Sequence, residues 1–185
     1  MDARYWLLTE RLALRRFTRD DLDWLTMLRS DPVVMRYAGG PKDRVDTEQL
    51  LNIRMLEYYE AYPGLGNWLT VERASGEAVG FHLLNHIRGE SIIQVGFFLK
   101  TSFWGRGYAA EMGRALLRHG FETMELRSIA GIAALDNIAS QRVLAKIGLE
   151  RHGERAFSHP VYADVGPMAW FERSREDWLS DDRRR

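Results

Sequence analysis

Three observations predict one mixed α/β domain, a mostly antiparallel sheet flanked by helices. Apolar or alternating strand-like runs are interleaved with segments of helical periodicity. The length, 185 residues, suits a single domain. No repeat, low-complexity stretch or Pro/Gly/Ser linker divides the chain. The expected unit is 1–185, with a core from about residue 9 to 179 and a frayed tail at 181–185.

Alternation of Leu12, Leu14 and Arg16 with Ala13, Arg15 and Phe17 reads as the first strand. Thr18-x-x-Asp21 is a capping box that opens a helix with Leu22, Leu25 and Leu28 inward, and Asp31-Pro32 ends it. After the Gly39-Gly40-Pro41 loop, Asp46 is expected to cap a second helix carrying Leu50, Ile53, Leu56 and Tyr59 to Tyr62 on a wide apolar face. Pro63-Gly64 stops that helix. Three strands follow, Trp68 to Arg73, Ala78 to Ile87 and Ser91 to Leu99, the first two joined by the Ser75-Gly76 turn. Trp104-Gly105-Arg106-Gly107 leads into a helix with Met112, Leu116, Leu117 and Phe121 inward. Ser128 to Leu135 is an apolar strand. Asn137 caps a helix bearing Ala139, Val143 and Ile147, and Gly148 sits at its C′ position. Strands near Leu149 to Arg155 and Met168 to Glu172 and a helix around Arg175 to Leu179 complete the chain.

Apolar residues (45%) suffice for a buried core, and 26 basic residues balance 26 acidic ones. That balance excludes a whole-chain basic footprint for nucleic acid, and argues against strong steering toward one highly charged acceptor. With no cysteine, disulfides, Cys-ligated metals and thiolate catalysis are excluded. No run approaches the ~20 apolar residues of a membrane span, and the N-terminus does not lead into a signal-peptide core. A cytoplasmic protein without metal or membrane partner is expected.

Gly105-Arg106-Gly107-Tyr108-Ala109-Ala110 fits G-x-G-x-x-A, the dinucleotide-binding pattern, but its context does not. The preceding strand ends near Leu99, several residues short of the turn, and no doubly wound sheet follows. A Walker loop is excluded because no Gly-Lys-Ser/Thr follows. A plain tight turn is one reading. The other is a pyrophosphate cradle: two glycines turn backbone N–H groups outward at a helix start, and Arg106 adds charge.

Phe103-Trp104-Gly105-Arg106-Gly107-Tyr108-Ala109-Ala110-Glu111 resembles the acetyl-CoA pyrophosphate loop of the GNAT N-acetyltransferases. Asn137 to Leu149 is similar to that superfamily's N-x-x-S-x-x-V-x-x-K-x-G-F/L helix. Thr9 to Arg15 and Asp31 to Tyr37 resemble the opening of its RimJ/RimL-type branch, whose acceptors are often protein N-terminal amines. The blocks stand in the family order from about Thr9 to Leu179. The resemblance implies the GNAT acyl-CoA N-acyltransferase fold, acetyl-CoA as co-substrate, and transfer of acetyl to a primary amine, either a protein N-terminus or a small molecule. It further implies cofactor contacts from Phe97, Phe98, Leu99, Ser102, Trp104, Gly105, Arg106, Gly107, Tyr108, Ala109, Asn137 and Ser140. Ser102 departs from the pattern, since Gln or Arg is common there.

Amines with pKa values from about 8 to 10.4 are mostly protonated at neutrality, so the reaction needs a proton acceptor, a polarised carbonyl and a proton for the thiolate. With no cysteine, direct attack in a ternary complex is expected. Where many relatives carry a Glu, this chain has Gln94, and where some carry a Tyr acid it has Leu144. Ser140 is the candidate acid. His159, in a loop on the acceptor side, is the preferred base, ahead of His82, His86 and Glu90; a solvated loop histidine or water-mediated deprotonation are the alternatives. Trp24, Met35, Arg36, Tyr37, Tyr58, Tyr59 and Trp68 are candidates for an acceptor groove. A non-catalytic acetyl-CoA-binding or sensing module is the competing reading, and a structural domain without cofactor a third. An apolar C-terminal edge strand would favour a homodimer.

Overall fold

The computed structural model describes residues 5–163 and 165–182. Among them is one eight-stranded mixed sheet with helices packed on it. The strands are β1 (Leu7–Leu8), β2 (Leu12–Arg16), β3 (Gly66–Glu72), β4 (Ala78–His86), β5 (Ile93–Leu99), β6 (Ser128–Ala134), β7 (Glu150–Arg155) and β8 (Met168–Ser174), in the spatial order β1-β2-β3-β4-β5-β6-β8-β7. Neighbours are antiparallel except β5 and β6.

The helices are α1 (Leu22–Ser30), α2 (Arg44–Leu51), α3 (Glu57–Ala61), α4 (Tyr108–Arg118), α5 (Ile138–Ile147) and α6 (Arg175–Asp182). Thr18 and Asp21 form the expected capping box ahead of α1, and Leu25 and Leu28 are buried. The second helical segment corrects the sequence reading twice. Its cap is Asp43, whose side chain accepts from the Asp46 N–H, and not Asp46. A π-helical turn at Asn52–Leu56 joins α2 to α3 and rotates the buried seam onto Leu51, Met55, Tyr58 and Tyr59. Ile53 and Tyr62, expected inward, are exposed. The Ser75-Gly76 turn forms as expected, with Gly76 at φ +74° and its N–H bonded to Glu72 O.

The chain ends differently from the expectation. Asp181 and Asp182 complete α6, and the Asp181 carboxylate pairs with Arg173; residues 183–185 of the expected frayed tail lie outside the described residues. The C-terminal edge strand is β7, Glu-Arg-His-Gly-Glu-Arg, exposed and charged rather than apolar. A charged edge blunts strand addition by a second copy. The core packs Leu12 and Leu14 of β2, and Phe17 just after it, with Leu25, Met55, Leu84, Leu116 and Phe121. No described helix is long and apolar enough to cross a membrane.

Candidate active-site cleft

The position of the site follows from one topological event. β5 is paired with β4 along its whole length, from His86 opposite Ile93 to Gly80 opposite Leu99. On its other side it meets β6 at the single register pair Gln94–Ala130. Beyond that pair the two parallel strands diverge. The backbone of Val95 to Leu99 that faces away from β4 then has no strand to bond, and a cleft of about 850 Å³ opens between β5, the N-termini of α4 and α5, and the segment after α1.

Gly105 and Gly107 lie at one end of this cleft with φ of +74° and +81°, the left-handed conformation for which glycine is suited. Gly107 is the N-cap of α4 and has no side chain to cap it, so the first N–H groups of the helix carry no internal partner. A Cβ at Gly105 would meet nothing within 4 Å, so no protein group fills the concavity.

The loop is clamped from behind. The Arg11 backbone N–H and guanidinium both bond the Glu111 carboxylate (2.9 and 2.6 Å), Thr9 Oγ1 adds a third bond (2.6 Å), and Arg11 also reaches Arg106 O (3.0 Å). Burial alone would raise the Glu111 carboxyl, but these donors outweigh it and hold it below its usual range. The Tyr108 hydroxyl bonds Glu72, and the Arg11 guanidinium covers the Tyr108 ring at 4.7 Å. Sequence reading assigned Arg11, Glu111 and Glu72 no role; an acidic residue in the first turn of α4 was the available signal.

Phe97, Phe98, Leu99, Trp104, Gly105, Gly107, Tyr108, Ala109, Asn137 and Ser140 line the cleft. Asn137 Oδ1 caps α5 by accepting the Ser140 N–H at 3.1 Å, and Trp104 Nε1 donates to Leu99 O at 2.8 Å. Ser102 and Arg106 do not line it. Ser102 is exposed on a short 3₁₀ turn, and the Arg106 guanidinium lies over the Phe103 ring at 4.7 Å and 3.8 Å from Glu72.

His159 is also placed apart from the cleft lining. It packs on Gly89, and its Nδ1 accepts the Val161 N–H at 3.2 Å, so the ring caps the 3₁₀ turn at Pro160–Tyr162. His82 is fully buried opposite Phe97, with Nδ1 2.7 Å from Thr70 Oγ1, and burial lowers its pKa to about 3. The His86 ring meets the Tyr58 hydroxyl at 2.5 Å, and Glu90 pairs with Arg155 at 3.1 Å. Among the described lining residues there is neither a histidine nor a glutamate.

At the far end, Met35, Arg36 and Tyr37 line the cleft, whereas Trp24, Tyr58, Tyr59 and Trp68 do not. Tyr59 and Trp68 belong to the core, where Tyr59 bonds the Phe17 N–H and Asn67 O. A polar spine missed by sequence reading runs beneath this end. Gln94 Nε2 donates to Asn85 Oδ1 (3.3 Å), Asn85 Nδ2 to Asn67 Oδ1 (3.1 Å), and Asn67 Nδ2 to Arg54 O (2.6 Å). Asparagines inside otherwise apolar strands were its signal.

A splayed β5/β6 pair beside a glycine-started helix gives this mixed α/β sheet a cleft lined by unpaired strand backbone. The Acetyltransferase (GNAT) domain family matches residues 11–150, and the chain belongs to that family of acetyltransferases. Protein YkkB of Bacillus subtilis (strain 168) is 30% identical, over 94% of this chain and 98% of that protein. The FsC-acetyl coenzyme A-N(2)-transacetylase of Aspergillus fumigatus is 29% identical over 96% of this chain and 79% of that enzyme. The crystal structure of a GNAT-family acetyltransferase from Bacillus anthracis superposes with a TM-score of 0.76 at 26% identity, covering 92% of this chain and 98% of that one.

Proposed function

We propose that the cleft binds acetyl-CoA together with a primary amine and that acetyl passes to the amine by direct attack within the ternary complex. The observation that carries this reading is the open backbone edge of Val95 to Leu99, running in one cleft from the uncapped start of α4 to the amide-lined end at Gln94.

Acetyl-CoA supplies the acyl group as a thioester. The N–H groups of Gly107, Tyr108 and Ala109 would receive the pyrophosphate, an anion that suits a helix N-terminus. The edge of Phe97 to Leu99 would pair with the pantetheine arm as an added strand. Asn137 would keep its capping bond and offer its amide N–H to the same arm. Backbone N–H groups near Phe97 would polarise the thioester carbonyl. As the amine nitrogen bonds the carbonyl carbon, the carbon–sulfur bond breaks, and the Ser140 hydroxyl would pass a proton to the departing sulfur and regain one from water. The amine's own proton leaves to water held by Gln94 and the amide spine. His159 takes no part in this scheme.

Because neither a histidine nor a glutamate is among the described lining residues, kcat/KM should climb with pH about tenfold per unit until the acceptor's own pKa, without an inflection near 6.5. The direct experiment is release of free CoA from acetyl-CoA across a panel of primary amines. Release that depends on the amine supports the transferase. CoA binding with no release for any amine supports the sensing module instead, the reading that Gln94 and Leu144 favour by standing where relatives carry acid–base groups. A cytoplasmic setting fits the cysteine-free composition.

A further inference from the structure

We infer that Asn67 and Asn85 are positioning residues for the transfer: a one-way chain of amide hydrogen bonds holds Gln94 with its Nε2 turned inward and its Oε1 offered to the water that takes the amine's proton. This inference rests on the transferase reading of the same cleft.

The chain of bonds starts at a group that can only accept. Arg54 lies in the π turn at Asn52–Leu56, and its backbone carbonyl receives the Asn67 Nδ2 at 2.6 Å. A carbonyl has no proton to give, so the Asn67 amide must face it with the nitrogen. Asn67 Oδ1 is thereby turned toward Asn85, which answers with its Nδ2 at 3.1 Å. Asn85 Oδ1 is then left for Gln94, whose Nε2 donates to it at 3.3 Å. Reversing any one amide would set like against like at a joint. Arg54 O therefore fixes the polarity of all three.

Register and burial hold the members in place. Asn85 and Gln94 stand directly opposite each other on β4 and β5, so their side chains share the cleft face of the sheet. Asn67 and Asn85 are only 4% and 3% exposed, and each commits its Oδ1 and an N–H to the chain. Asparagine is disfavoured in strand interiors and its buried amide is costly unless bonded, so the pair serves this chain rather than the core. Gln94 is partly buried and lines the cleft, and its Oε1 has no partner among the described residues.

Polarity decides the chemistry. A water bonded to Oε1 donates one O–H there and keeps its lone pairs for the amine. The same water bonded to an N–H would spend a lone pair and turn an O–H toward the amine instead. Only the first arrangement can take the amine's proton as the nitrogen attacks, and that proton then passes to bulk solvent. A carboxylate at position 94 could not donate to Asn85 and would leave the chain of bonds unfinished.

The first arm of the test needs no turnover. The protein has three glutamines, Gln49, Gln94 and Gln141, so isotopic labelling of glutamine side-chain nitrogen gives three amide signals by NMR. The bonded Nε2 proton of Gln94 should exchange with solvent at least tenfold more slowly than those of exposed Gln49, and should approach the Gln49 rate in Asn85→Ala. The second arm follows CoA release with the fastest primary amine of the panel, L-alaninamide among them. Asn85→Ala and Asn67→Ala should each lower kcat/KM at least tenfold while the Kd for acetyl-CoA stays within threefold. In a Gln94→Ala background either substitution should change kcat/KM less than threefold, because it acts through Gln94 alone; a merely structural effect would add in both backgrounds. Fast exchange at Gln94 in the wild-type protein, kcat/KM within threefold in Asn85→Ala, or an undiminished loss in the Gln94→Ala background would overturn the inference. If neither asparagine variant folds, the wild-type exchange rate still decides. Absence of release with every amine is instead the failure of the transferase reading, told apart by exchange rates that need no acceptor.

Discussion

At Gly107 a side chain must adopt φ +81° within 3.5 Å of the Arg11 guanidinium, so Gly107→Val strains the loop whatever space surrounds it. Acetyl-CoA should then bind at least tenfold more weakly by calorimetry, and an unchanged Kd would show that the loop is only a turn. His159→Ala should alter turnover less than threefold, because the ring caps a turn outside the cleft; a 100-fold loss would restore it as the base. The loop holding His159 was legible in the sequence, but its packing on Gly89 depends on a partner 70 residues earlier and was not. His82 offers a pH test. Its folded pKa, about 3, lies below the unfolded value near 6.5, so the unfolded state binds the extra proton. Stability from this group is complete above pH 6.5 and declines by ~1.4 kcal/mol per unit as pH falls toward 3. Replacing His82 by Asn should flatten that limb of the denaturation profile.

Between elements, the decisive contacts are those that hold α4 and β5 where they are. Glu111 joins the start of α4 to the turn before β2, and Glu111→Gln should lower stability at neutral pH by about 1 kcal/mol, a figure tempered by the solvent exposure of Arg11. Since the carboxyl sits below its usual range, this contribution is present above about pH 4.3 and fades as pH falls through the folded value. A Cβ at Gly80 would fall 2.2 Å from Phe98 O, and backbone cannot move aside as a side chain can. Gly80→Ala should therefore destabilise by about 1–3 kcal/mol in urea denaturation. Period and turn residues made nearly every strand legible to within two residues. The π turn at Asn52–Leu56 was not, because it shifts the apolar face midway through a helix whose ends look regular, and Asp43 and Asp46 are equally good caps on paper.

Across the whole molecule, the site exists because two adjacent strands part after one register pair. That event is a property of the sheet order, which places β8 between β6 and β7, and local pattern carries no record of it. The glycine turn and the Asn137 helix were nevertheless readable, since each announces its own backbone geometry. The cationic part of the cleft lining was invisible for a different reason: Arg29, Arg36, Arg54 and Arg88 come from separate segments, and a balanced total hides their presence in one cleft. The most direct test of the central claim, that this cleft cradles acetyl-CoA, is thermal unfolding with and without that ligand. A ligand at about 100 times its Kd adds ~2.7 kcal/mol to the native state. For a chain of this size the melting temperature should rise by about 5–10 °C. No shift at millimolar acetyl-CoA would contradict the account.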